Sequence, residues 1–342
     1  MSDIDPFHLT SGVTSPFLPD TEIQYAWDST SLGYLKTCPR LYQYIMIEGW
    51  SPREDSVHLR FGAEYHKALE NYDAAKASGL PHADAMEIAV RLLLETTMDF
   101  APDESVKAGK YKNRKNLIAL VIDYLDQFEN DPMETVILDD GKPAVELSFR
   151  FELDWGPSQH LPYINELGPA AQFVADTVTG QPYLLSGHLD RVVRFQGDYM
   201  IMDRKTTTTS LSQYYFKQYE PSNQMTLYTL AGSVILNAPV KGVIIDAAQI
   251  KLTDPNAFAR GFTYRTSDQL DEWLADLKVL LSMAESYALA EYWPMNDTAC
   301  DKFGGCKFRD ICSKSPSVRD AFLRADFNKL APADRWNPLR SR

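Results

Sequence analysis

The chain has 342 residues, 44% of them apolar and 12% aromatic, enough for one large domain or two ordinary ones with a full core. Its net charge of −13 counts against a protein that simply coats DNA, because counterion release needs many Lys and Arg contacts, but leaves room for a local basic patch that grips phosphate. No apolar run reaches the length of a membrane span, and the polar, proline-containing start Met1 to Asp20 does not read as a secretory signal, so no membrane association and a reducing, cytosolic setting are expected.

Residues 1–28 read as an extended, loosely held arm rich in Pro, Asp and Ser. From Ser29 an apolar stripe (Leu32, Leu35, Leu41, Tyr44, Ile45) predicts helix, interrupted at Pro39. Further helices are predicted over 59–79, 84–99 and 113–131. Gly141-Lys142-Pro143 then marks a change to strands. Val145, Leu147, Phe149 and Phe151 alternate with polar residues, as in a half-buried strand. A loop-rich stretch, 156–181, precedes strands at 185–195 and 199–204 around a Gln196-Gly197-Asp198 turn. A helix over 221–236, a buried strand Val240–Ile250, a short strand Phe262–Arg265 and a long helix over 267–291 complete the pattern. The tail carries one short helical pattern. The order predicts an α/β sheet flanked by helices and preceded by a helical region.

The densest chemical signal is Gly187-His188-Leu189-Asp190, followed thirteen residues after Asp190 by Asp203-Arg204-Lys205. Phosphodiester hydrolysis uses a divalent cation to polarise the phosphoryl oxygen and acidify a bound water. Hard cations take carboxylate oxygens. Asp190 and Asp203, near the ends of hairpin partners, can converge on one ion. Lys205 shares a strand face with Asp203 and can orient or deprotonate the water, or stabilise transition-state charge. Alone, such a match is common by chance and fits charges at a hairpin end. The apolar run Met200-Ile201-Met202 leading into Asp203 favours a site.

Upstream, Gly62, His66 and Glu70 recur every four residues on a predicted helix. Close approach at Gly62, a metal ligand at His66 and an orienting partner at Glu70 form one reading; an ordinary surface pair is the other. Gln224 and Tyr228 share a helix face just after Lys205 and could bond the nucleophile or a phosphate. Cys300-x5-Cys306-x5-Cys312, wrapped around Gly304-Gly305, together with Cys38 before Pro39, uses every cysteine of the chain. Four thiolates suit zinc or a [4Fe–4S] cluster, and the three-plus-one arrangement without tight pairs suits the cluster better. Lys107, Lys110, Lys112, Arg114 and Lys115, with Tyr111 among them, are the phosphate-gripping candidates, against a solvated helix face. Tyr214, Tyr215, Phe216 and Tyr219 could stack bases or fill a core.

The order of these motifs from Ser29 to Cys312 resembles the RecB-like branch of the PD-(D/E)XK nuclease superfamily, with iron–sulfur CRISPR-associated RecB-type, AddB-type and phage exonucleases as the nearer look-alikes. The resemblance implies a restriction-endonuclease-like core, a central mixed sheet flanked by helices, over 136–292. A helical region at 29–135 would carry the His motif and the first cysteine, and 293–342 would form an Fe–S subdomain and tail. It implies His66, Asp190 and Asp203 as ligands of Mg²⁺ or Mn²⁺, with Arg204 lending its carbonyl. Lys205 is then the catalytic lysine, Gln224 and Tyr228 the motif after it, and Glu146 a supporting acid. Cys38, Cys300, Cys306 and Cys312 would hold a [4Fe–4S] cluster, although the Cys-x2-Cys step of many relatives is missing.

The implied activity is exonucleolytic hydrolysis of DNA, single-stranded or with a free end, 5′ to 3′, in recombination, repair or phage DNA processing within a bacterial or phage-infected cytosol. No Gly-x4-Gly-Lys-Ser/Thr occurs, so unwinding calls for a helicase or recombination partner. A homo-oligomer is compatible with this reading. A non-catalytic DNA-binding or assembly subunit, a redox or metal-storage protein and a structure-selective endonuclease stay open as alternatives.

Overall fold

Turn residues and caps divide the chain into short elements joined by short connections. The computed structural model describes residues 15–53, 56–157, 181–253, 255–301 and 305–340. In chain order these hold β1 (Ala26–Trp27), α1 (Ser29–Thr37), α2 (Pro39–Tyr42), a π-helical turn (Gln43–Ile47), β2 (Trp50–Pro52), α3 (Val57–Ala77), α4 (His82–Thr96), α5 (Lys107–Tyr111) and α6 (Arg114–Gln127). There follow β3 (Glu134–Thr135), β4 (Val145–Glu152), β5 (Leu184–Phe195), β6 (Asp198–Thr207), α7 (Gln213–Lys217), α8 (Asn223–Leu236), β7 (Val240–Gln249) and β8 (Ala257–Tyr264). The last are α9 (Ser267–Leu289), α10 (Arg309–Cys312), α11 (Arg319–Asp326) and β9 (Phe327–Lys329). The chain divides into two units: Asp55–Leu147 with His188–Leu270, and Met1–Glu54 with Ser148–Gly187 and Asp271–Arg342.

The first of these units holds a mixed sheet flanked by helices. β5 and β6 pair antiparallel about Gln196 and Gly197, whose φ values of 52° and 91° are those of a tight hairpin turn. β6 and β7 pair parallel, so the chain must cross over between them, and α7 and α8 occupy that crossover. β8 returns antiparallel to β7, and β3 pairs antiparallel with β5. β7 is buried along nearly its whole length, as an apolar central strand requires. α8 lies along β6 and β7. α3, α4 and α6 bury Phe61, Tyr65, Leu69, Leu93, Leu117, Leu120 and Val121 in one core that reaches Ala248 and Ile250 at the end of β7.

In the other unit, Tyr44, Trp50, Phe308, Ile311, Leu323 and Phe327 form a core, with the Phe308 and Phe327 rings stacked 4.5 Å apart. β2 pairs with β9, and β1 runs parallel to the first residues of β5. The described part of the N-terminal arm is not loosely held: Leu18, Ile23, Tyr25 and Trp27 are buried, and Trp27 stacks on Tyr42. A Cβ on Gly187 would meet the Phe149 ring at 2.8 Å, which explains the glycine that opens the Gly-His-Leu-Asp motif.

Two other expectations change. β6 continues to Thr207, so Lys205 sits within the strand, and β8 begins at Ala257, well before Phe262. The alternation from Val145 to Phe151 fully buries only Phe149, and Glu146 within it takes a left-handed backbone (φ 49°). Most of the expected loop at 156–181 lies outside the described residues, as does Gly304.

Candidate active site

The site forms where β5 and β6 stop pairing. Their register runs from Phe195↔Asp198 to Arg191↔Met202. One residue further on, the Asp190 carboxylate accepts the backbone N–H of Arg204 at 2.8 Å. A side chain thus replaces the ladder bond, and the two strands part around Asp190 and Asp203. α3 brings in His66, whose Nδ1 lies 3.2 Å from Asp190 Oδ2. Among the described residues, one ligand atom each of His66, Glu146 and Asp190 lie within 4.8 Å of one another. The left-handed turn at Glu146 is therefore at the site, where backbone strain commonly serves function.

Asp203 and Lys205 share one face of β6, turned toward α8. Lys205 Nζ lies 3.0 Å from Asp203 Oδ1 and 2.7 Å from Oδ2, and 3.3 Å from Gln224 Oε1. Gln224 Nε2 in turn donates to the Tyr228 hydroxyl at 2.9 Å. Among the described residues, Asp203 Oδ2 is buried and accepts no hydrogen bond, although the Lys205 ammonium lies 2.7 Å from it.

The charges are strongly shifted. Burial pushes the Asp190 carboxyl up, but His66, Lys205 and the Arg204 N–H overcome it and hold it well below the usual carboxylate range. Burial dominates at Asp203 and, with the charge of Asp190, raises its carboxyl despite Lys205. Burial lowers the amine of Lys205, yet Asp203 more than compensates and keeps it protonated. His66 is raised in the same way: burial opposes the charge, and Asp190 outweighs it. Among the described residues, the carboxylates of Glu146, Asp190 and Asp203 gather with one amine and one imidazole, a donor set that suits a hard divalent ion.

A family model described as the PD-(D/E)XK nuclease superfamily matches residues 29–313. The chain belongs to that superfamily. PD-(D/E)XK nucleases hydrolyse phosphodiesters with Mg²⁺ or Mn²⁺, so this chain is a nuclease by family and DNA its substrate class. No curated protein sequence matches it. Two solved structures are similar to it at low identity. One, from Eubacterium rectale and provisionally described as an exonuclease, is 13% identical over 87% of this chain and 92% of its own, with a TM-score of 0.46. The other, SSO0001, is 11% identical over 77% of this chain and 79% of its own, with a TM-score of 0.28. Among the described residues no helix is long and apolar enough to cross a membrane.

Within this PD-(D/E)XK chain, other sequence expectations fall differently. Glu70 does not orient His66; both its oxygens accept from Lys67, at 2.8 and 2.7 Å. A Cβ on Gly62 would meet nothing within 4 Å among the described residues. In the basic cluster Lys110 and Lys115 are exposed, whereas Lys112 is buried, donating to Thr206 Oγ1 at 3.3 Å with its amine 5.4 Å from the Phe61 ring. Arg114 donates to Thr97 Oγ1 and to the Leu94 carbonyl, which ties it to the end of α4. Tyr214 is 86% exposed, while Tyr215 is buried beside the charges of Asp203 and Lys205 and hydrogen-bonds Tyr219. All four cysteines line one cavity of about 490 Å³, and Gly305 takes a φ of 104° there.

Sequence reasoning missed five further charged residues and the side-chain role of Arg204. Asp73 on α3 pairs with Arg204 and lies 3.7 Å from Arg191. Arg191 also reaches Asp131 at 3.3 Å, Asp131 meets Arg260 at 2.7 Å, and Arg260 meets Asp246 at 3.1 Å. The Tyr124 hydroxyl closes the series on Asp246. The available signal was positional: Asp73 follows His66 by seven residues, two helical turns, and Arg191 and Arg204 directly follow the two aspartates.

Proposed function

We propose that this nuclease is a Mg²⁺- or Mn²⁺-dependent DNA exonuclease acting on single strands or free ends, 5′ to 3′, in recombination, repair or phage DNA processing. The observation that carries the hydrolytic reading is the compact His66–Glu146–Asp190 group beside the Asp203–Lys205–Gln224–Tyr228 chain of contacts. The donor set fits the ion: buried carboxylate oxygens, one of them without a hydrogen bond, and a single imidazole. His66, Asp190, Asp203 and the Arg204 carbonyl would hold it, with Glu146 alongside. A bound divalent cation supplies Lewis acidity toward the scissile phosphate and acidifies water.

The remaining work falls to the protein. Asp203 holds Lys205 charged and aimed into the site, where the ammonium stabilises the negative charge that grows on the phosphoryl oxygens. Gln224, fixed by Tyr228, steers that ammonium and offers a polar contact to water or phosphate. Lys110 and Lys115 are free to meet the backbone of the strand, and Tyr214 offers a ring for a base. Exonucleolytic action, strand preference and polarity rest on the sequence resemblance.

A [4Fe–4S] cluster held by Cys38, Cys300, Cys306 and Cys312 belongs to the same proposal. Its support is the shared cavity. Among the described residues, no three of the thiols lie within 4.8 Å of one another.

End-labelled linear and circular single strands incubated with Mn²⁺ test the activity. Stepwise release from one end of the linear strand is expected. Cleavage of the circle would replace the exonuclease reading with an endonuclease, and cleavage unchanged by Asp203→Ala would remove the site. Anaerobically purified protein should show visible iron–sulfur absorption that Cys306→Ala abolishes; bound zinc in its place would overturn the cluster.

A further inference from the structure

We infer that Asp73 is a positioning residue for the nuclease site, a single buried carboxylate that fixes both metal-side strands to the helix bearing His66. This deepens the reading of the site given above and rests on it. α3 carries His66 and, two turns later, Asp73. His66 touches Asp190 directly, at 3.2 Å. Asp73 touches the residue after each of the two aspartates: Oδ2 accepts from Arg204, and Oδ1 lies 3.7 Å from Arg191.

The alternation of a strand makes these contacts consequential. Arg204 lies between Asp203 and Lys205, so holding its side chain on the opposite face of β6 sets where both of them point. Its own N–H is the donor to Asp190, so the backbone atom that bridges the parted strands belongs to the residue whose side chain Asp73 holds. Asp73 and Arg204 are both buried, with side-chain exposures of 5% and 1%. Arg191 and Arg204 converge on one carboxylate, and Arg191 continues to Asp131. Loss of the Asp73 charge would release β5 and β6 at the point where they part, with no ligand of the site removed.

The test compares Asp73→Asn, Asp73→Glu and the charge-free double variant Asp73→Leu/Arg204→Met with the wild-type chain. The readouts are thermal unfolding, Mn²⁺ binding followed by loss of the free-ion electron paramagnetic resonance signal, and kcat and KM on end-labelled single strands. Asp73→Asn should weaken Mn²⁺ binding and lower kcat by about 10- to 100-fold, the range for residues that orient metal ligands, with KM for DNA little changed. Asp73→Glu should recover part of both. The double variant should regain thermal stability, because an apolar pair can replace a buried ion pair, but not Mn²⁺ affinity.

Mn²⁺ affinity and turnover that return together with stability in the double variant would overturn the inference, leaving Asp73 a purely structural residue. So would wild-type Mn²⁺ affinity in a folded Asp73→Asn. Wild-type protein that binds Mn²⁺ without cutting DNA would overturn the nuclease reading alone, and the comparison of Mn²⁺ affinities would still decide the role of Asp73.

Discussion

Two groups of charged side chains in the same unit are built on opposite terms. Asp73, Asp131 and Asp246 meet Arg191, Arg204 and Arg260, three charges against three, each pair in contact and nearly dry. Among the described residues, Glu146 and Asp190 gather with His66, Asp203 pairs with Lys205, and one buried oxygen of Asp203 accepts no hydrogen bond. The balanced group fixes geometry, because each charge is answered by a guanidinium that cannot lose its proton. In the function proposed above, a divalent cation completes this second group. Arg204 belongs to both, its side chain to the first and its amide to the second. Structural and reactive electrostatics are thus one residue apart on the same strand.

Four substitutions would break or sharpen that contrast, the largest first. Lys205→Ala should cut the rate of nucleotide release from end-labelled DNA by about 10²- to 10⁴-fold; a variant that keeps a tenth of the wild-type rate would move the chemistry elsewhere. Arg260→Met, in the balanced group, strands Asp131 and Asp246 and should cost about 3–5 kcal/mol in urea unfolding. A loss below 1 kcal/mol would mean that water answers those acids as well as the guanidinium does. Tyr124→Phe removes a hydroxyl from Asp246, which keeps its contact with Arg260, so about 1.5–3 kcal/mol is expected from the same measurement.

Lys112 marks the other limit, an amine buried against a hydroxyl and a ring. Burial pushes it down to about 8 from an ordinary 10.5. Between those values the unfolded chain holds a proton that the folded chain has released, so stability should rise with pH across that window. Urea midpoints of Lys112→Met should lack this rise, lie above wild type near neutrality and converge with it at the alkaline end. Parallel curves for the two proteins would show that Lys112 is solvated.

The core of the sheet was legible in the sequence because β5, β6 and β7 carry their apolar residues in strand periods and the turn at Gln196-Gly197 has a chemical signature. The closeness of Asp190 to Arg204 and of Asp203 to Lys205 was foreshadowed by acids at the end of an apolar run. What stayed hidden depends on contacts between distant segments. Nothing local pairs Asp73 with Arg204, 131 residues apart, or turns Glu70 away from His66 toward Lys67. The kink at Glu146 was hidden for a different reason: an acid in left-handed backbone is a choice the surroundings impose, against its own preference. Lys112 looked like its exposed neighbours because spacing alone does not say that the residue just after α5 turns inward.

The back-to-front order of Asp203, Arg204 and Lys205 also limits how this strand can evolve. Adding or deleting one residue just before Asp203 would turn the arginine to the face now held by Asp203 and Lys205 and send both its neighbours into the dry interior. Descendants of this chain can therefore vary the segment by replacement, residue for residue, while insertions and deletions are confined to the connections beyond its ends.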